Sequence, residues 1–140
     1  MGVGQFDTKV AVVVRDDLEA WQRLNVTAFL MSAVTAHAGP GAIGEEYLDA
    51  DGRRYLAMLV QPVLVFQASA EKLRTVHERA ARREVTLAIY TREMFATGND
   101  EDNRAAVRAV ATDRLDLVGV ALRAPHRDAD AVLRGLTRHP

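Results

Sequence analysis

Thr8–Leu30 constrains this chain more than any other segment. Lys9–Arg15 holds four valines and runs into the charged tripeptide Arg15-Asp16-Asp17, and a helical pattern follows at once. A short valine-rich run bounded by charge is the pattern of a strand buried on both faces. Asp16 or Asp17 is placed to cap a helix reaching about His37, with Glu19 in its first turn to oppose the dipole. Gly39-Pro40-Gly41 ends that helix. From Val26 to Val34 it is apolar nearly all round, including Ala28, Phe29, Leu30, Met31 and Ala33. It is therefore expected to be buried on more than one side, against its own sheet and against another element or a second subunit.

The rest of the chain alternates strand and helix patterns. Glu45–Leu48 and Arg53–Leu59 flank Asp49-Ala50-Asp51-Gly52 as a hairpin. Pro62–Phe66 reads as a buried strand, and Ser69 starts a helix to about Arg83 with an apolar stripe of Leu73, Val76 and Ala80. Val85–Tyr90 is the next strand, followed by the polar stretch Thr91–Asn99 and a helix from about Asp100 to Val110. Leu115–Arg123 reads as a strand and Ala129–Thr137 as a closing helix. This order predicts one α/β domain over residues 1–140, a layered sandwich. Its sheet is expected to be mixed, mostly parallel and of about four strands, flanked by helices, with a small hairpin added.

Composition excludes several functions. With no cysteine, disulfides, thiolate metal sites and a cysteine nucleophile are ruled out, and a reducing cytoplasm is the expected setting. A formal net charge of -1 gives no general field for nucleic acid, so no nucleic-acid partner is expected. Only Lys9 and Lys72 among the 18 basic residues are lysine, which fits genome composition more simply than a binding role. Met1–Phe6 has neither the basic region nor the apolar core of a signal peptide, and Gly2-Val3-Gly4 reads as a frayed terminus. No apolar run has the length of a membrane span.

The motifs narrow the chemistry further. No glycine follows the first strand, and two carboxylates there would repel a phosphate, so neither a P-loop nor a dinucleotide fold is expected. The histidines at 37, 77, 126 and 139 fall on different elements without i, i+4 pairing, so neither a metal nor another cofactor is expected. Asp49, Asp51 and Gly52 suit a turn, because Tyr55 and Ala57 cannot complete a calcium loop. Ser32 and Ser69 lie outside any nucleophile elbow.

Two polar constellations remain, each after a buried strand. The first comprises Arg15, Asp16, Asp17, Trp21, Gln22, Asn25 and Thr27; the second comprises Tyr90-Thr91-Arg92-Glu93, Phe95-Ala96-Thr97-Gly98-Asn99 and Asn103-Arg104. Both also suit ordinary helix capping and turns. If their strands run in parallel, both constellations meet at one end of the sheet, where α/β proteins bind ligands. Asp17 is the candidate base should any catalysis occur. The candidate ligand-binding residues are Asp16, Trp21, Gln22 and Asn25 of the first, and Tyr90, Thr91, Thr97, Asn99, Asn103 and Arg104 of the second.

The segments RDDLEAWQRLNVTAFL, YLAMLVQPVLVF, AIYTREMFATGNDEDNRAAV and LDLVGVAL together resemble a bacterial family numbered 2000 among the domains of unknown function. Lys9–Val34 and the order of the remaining elements are similar to type II peptidyl-tRNA hydrolases, and the resemblance implies that fold. Arg15, Asp17 and Leu18 match the hydrolase pattern residue for residue, whereas its lysine, glutamine and histidine fall on Leu24, Ala28 and Met31. The acidic element after the hydrolases' third strand meets Tyr90-Thr91-Arg92. The resemblance thus implies the scaffold without its chemistry. The first reading is a small-ligand binding domain. The alternatives are a divergent hydrolase of aminoacyl or peptidyl esters, which leaves open whether the chain is an enzyme, and a homodimeric interaction module.

Overall fold

In chain order the elements are β1 (Thr8–Arg15), α1 (Ala20–Ala38), β2 (Tyr47–Leu48), β3 (Arg54–Tyr55), β4 (Val63–Ala68) and α2 (Ala70–Arg82), then β5 (Ala88–Thr91), α3 (Asp100–Arg108), β6 (Leu117–Pro125), α4 (His126–Leu133) and β7 (Thr137–Arg138). The computed structural model describes residues 6–140, so the expected fraying of Gly2-Val3-Gly4 lies outside the described residues.

Five strands form one sheet in the order β5-β6-β1-β4-β7. Among the described residues only β1 and β4 pair in parallel; β1–β6, β5–β6 and β4–β7 are antiparallel. The expectation of about four mostly parallel strands is corrected on both counts. A parallel return would need a connection spanning the full sheet. After β5, α3 stays at the end of the sheet where β5 stops, since Leu117 at the start of β6 pairs with Thr91. The chain therefore re-enters antiparallel. The fifth strand was missed because Gly135, at φ +85°, ends α4 and frees Thr137–Arg138 to pair with β4.

Both faces of β1 are covered, which explains its unbroken apolar run. Val10, Val12 and Val14 pack with Val26, Leu30 and Val34 of α1. Ala11 and Val13 pack on the other face with Leu73, Val76 and Ala80 of α2 and Ala129, Val132 and Leu133 of α4. Gly119 of β6 lets α1 settle closely, since a Cβ there would meet Val26 Cγ1 at 2.4 Å. α1 itself departs from expectation. It buries the single row Val26, Leu30 and Val34, while Leu24, Ala28, Phe29 and Ala33 remain exposed.

Helix starts also differ from the sequence reading. The N-cap of α1 is Glu19, not Asp16 or Asp17, because the two aspartates lie in a preceding turn and Asp17 is drawn to Arg15. Ser69 caps α2 as expected, accepting from the backbone N–H of Lys72, and Asn99 caps α3, accepting from that of Asp102. Residues 43–60 form an arm outside the main sheet. It contains β2 and β3 and is closed at its base by the Ile43–Leu59 bridge. Its tip turns at Gly52 (φ +82°), and Asp49 accepts from the N–H groups of Asp51 and Arg53 and from the Tyr55 hydroxyl. Among the described residues, no helix is long and apolar enough to cross a membrane.

Candidate functional site

β6 runs antiparallel to both β1 and β5, so the carboxyl ends of β1 and β5 share one end of the sheet without being neighbours. At that end the pairing of β5 with β6 slips: Tyr90 faces Gly119 but Thr91 faces Leu117, leaving Val118 as an extra residue. Such a bulge re-aims side chains beside it.

A closed ring of charge occupies this end. The Arg15 guanidinium is largely buried and donates to Asp17 (Nε, 3.0 Å), to Asp116 (Nη1, 2.8 Å) and to the Leu117 carbonyl (2.8 Å). Arg92 reaches the same two carboxylates at 3.7 and 3.3 Å. Burial opposes the charge of Arg15, yet hydrogen bonds and attraction from Asp116 and Asp17 raise its pKa. Desolvation likewise pushes Asp17 up, but the hydrogen bonds and charge of Arg15, with the charge of Arg92, bring its pKa below the ordinary value. A carboxylate so held is a weak proton acceptor at neutral pH.

Beside the ring, a cleft of about 770 Å³ opens between α1, β5, the 3₁₀ turn Arg92–Ala96 and α3. Its aromatic wall is continuous. Trp21 meets Phe95 edge-on at 5.8 Å between centroids, Phe95 meets Tyr90 at 5.2 Å, and Tyr90 meets Phe29 at 6.0 Å. Four of the chain's eight aromatic residues thus gather on one cavity. The sequence brings them there simply: Trp21, Asn25 and Phe29 repeat every four residues along one side of α1. Trp21 is pinned by donating from Nε1 to Glu19 at 2.8 Å. Tyr90 is buried, which raises its phenol pKa, and its hydroxyl donates to Asn25 Oδ1 at a long 3.5 Å.

Polar groups line the α3 side. The Thr97 hydroxyl is hydrogen-bonded to the Met94 carbonyl and to Asn103, Asn99 spends its amide on the cap and on Asp102, and Arg104 pairs with Asp100. Arg108 also borders the cleft.

Of the residues singled out from sequence, Trp21, Asn25, Tyr90, Thr97, Asn99, Asn103 and Arg104 come together on this cleft. The others do not border it. Asp16 lies exposed in the turn after β1. Asp17 belongs to the charge ring. Gln22 Oε1 accepts the Glu19 N–H at 3.0 Å. Thr91 is buried, its hydroxyl without a partner among the described residues. Phe29, Phe95 and Arg108 also line the cleft but were not among the candidate binding residues; the four-residue stripes along α1 and α3 signal Phe29 and Arg108, whereas Phe95 stands within the second constellation. Among the described residues no three histidine, aspartate or glutamate side chains are placed to hold a metal.

Fold and site together define a layered α/β domain, with helices on both faces of a mixed five-stranded sheet and an open aromatic cleft at one side. Residues 8–140 match the family described as "Protein of unknown function (DUF2000)", and the chain belongs to that family. It is similar to a solved structure of a protein of unknown function, Atu0240, from Agrobacterium tumefaciens strain C58. The identity is 44% and the TM-score 0.94, over 97% of this chain and 100% of the other. No curated protein matches the chain.

Proposed function

We propose that this protein is a small-molecule binding domain whose ligand is planar and largely apolar, with hydrogen-bonding groups at its rim. The observation that carries this reading is the unbroken run of rings Trp21–Phe95–Tyr90–Phe29 facing the polar side chains of α3 across one cleft. A concave, mainly apolar site of a few hundred cubic ångströms with a few polar groups is the usual form of a small-ligand pocket. Flat rings stack on aromatic walls with a gain of about 0.5–1.5 kcal/mol per pair beyond area burial. Asn25 and Asn103 offer amides to the ligand rim, and Arg108 favours an acidic substituent.

A divergent hydrolase is the less supported reading. Asp17 is bound by two arginines outside the cleft, and Asp100, the carboxylate that borders it, is paired with Arg104. On our reading the scaffold is kin to the type II peptidyl-tRNA hydrolases with their proton-transfer positions replaced. Leu24 and Ala28 are exposed apolar residues and Met31 is half-buried.

Titration with a panel of planar aromatic acids and amides, followed by the fluorescence of the single tryptophan, tests the proposal. The expected result is a saturable change for at least one member that is lost in Phe95→Ala and weakened in Asn25→Ala. A flat response across the panel, or binding indifferent to Phe95→Ala, contradicts it.

A further inference from the structure

The large apolar side chains left exposed on the described residues fall into two sets. Trp21, Leu24 and Phe29 lie on α1; Tyr47, Leu48, Tyr55, Leu56, Met58 and Val60 lie in the arm, continued by Val63 at the start of β4. Leu56 is 85% exposed and Leu24 73%. A two-stranded hairpin without a third strand or a helix against it is marginal in water. Among the described residues β2 and β3 pair with each other and with no other strand. The arm therefore carries more apolar surface than its own fold covers, and α1 has an uncovered side of the same character.

We propose that the occupant is a second copy of this chain, with the arm of each protomer lying on the exposed side of its partner's α1. A twofold arrangement satisfies both sets at once, because an isologous interface presents the same two surfaces twice. The area agrees. A stable interface takes about 800 Å² from each partner, and the six large apolar side chains of the arm with Val63 of β4, 36–85% exposed, supply surface of that order. Trp21, Leu24 and Ala28 follow one another at helical spacings of three and four, so they form a row on which an extended arm can lie. This inference does not rest on the ligand reading, although Trp21 and Phe29 of α1 also border the cleft; Leu24 and the arm residues lie outside it.

The chain contains no cysteine, so single thiols can be introduced cleanly. Sedimentation of the whole protein at about 100 µM is expected to give twice the 15.4 kDa chain mass. Leu56→Asp and Leu24→Asp should each weaken self-association by about tenfold or more, with thermal unfolding of the monomer unchanged because both side chains are exposed. On mixing L24C with L56C chains and oxidising, a disulfide between positions 24 and 56 of different chains is expected. A monomer at that concentration overturns the proposal. So does a dimer indifferent to Leu56→Asp, or cross-linking confined to identical positions. A 24–56 bond within one chain of the double variant, without a covalent dimer, would show the arm folding back on its own helix and also overturns it.

Discussion

Gly119 of β6 stands directly beneath Val26 of α1, so close that any side chain there would overlap Val26 Cγ1. The same close approach sets the height of α1 over the sheet, and with it the position of Trp21, Asn25 and Phe29 along the cleft. Gly119→Ala is expected to lower stability by about 1–3 kcal/mol through overpacking. Urea denaturation measures this, with Gly98→Ala as control, because a Cβ at Gly98 meets nothing within 4 Å. Equal stabilities for the two variants would contradict the packing described.

The charge ring around Arg15 is a structural joint between β1 and β6. Arg15→Ala leaves the Leu117 carbonyl and two carboxylates without their shared donor. Its expected cost is about 2 kcal/mol, below the roughly 3–5 kcal/mol for breaking a fully buried pair because both aspartates are half-exposed. Lysine cannot span the fork of acceptors, so Arg15→Lys should restore only part of the loss.

Asp17 makes the joint sensitive to acid. Its folded pKa lies below the ordinary 3.8, so it contributes stability that is fully present above that value. The contribution is lost as pH falls through the lower, folded pKa. Asp17→Asn should therefore flatten the acid limb of a plot of stability against pH below about 4, while leaving the slope from pH 6 to 8 unchanged. Chemical denaturation across that range reads both slopes.

Glu84 adopts φ +56° where the chain leaves α2, a left-handed position that costs a side chain about 1–2 kcal/mol. Its N–H still serves the helix end by donating to the Ala81 carbonyl. Glu84→Gly is expected to raise stability by about 1 kcal/mol, seen as a higher denaturation midpoint with an unchanged slope. An unchanged or lower midpoint would mean that the Glu84 side chain supplies compensating contacts.

Legibility in the sequence followed the strength of local signals. The valines of β1, the Ser69 cap and the Asp49–Gly52 turn were readable because each rests on a short-range preference. Strand direction was not, since the antiparallel return of β6 depends on α3 staying at one end of the sheet. Helix capping at Glu19 was hidden by the two aspartates before it, which a distant partner, Asp116, helps Arg15 to organise. For the site, pairing the two strand ends brings seven of the eleven candidate residues to one cleft, but not every polar residue near them. Gln22 and Thr91 sit one position away from Trp21 and Tyr90, and a one-residue step turns a side chain out of the cleft in helix and strand alike. Phe29 and Phe95 were not counted as binding residues because apolar rings look like core until the face they share is known.

The most direct test of the cleft is amide chemical-shift mapping of the labelled protein against a library of small aromatic fragments. The account predicts that binders perturb a contiguous set comprising Trp21, Asn25, Phe29, Tyr90, Phe95 and Asn103, and that Phe95→Ala removes those shifts. Binders that gather elsewhere, or a library with no binder at this cleft, would contradict it.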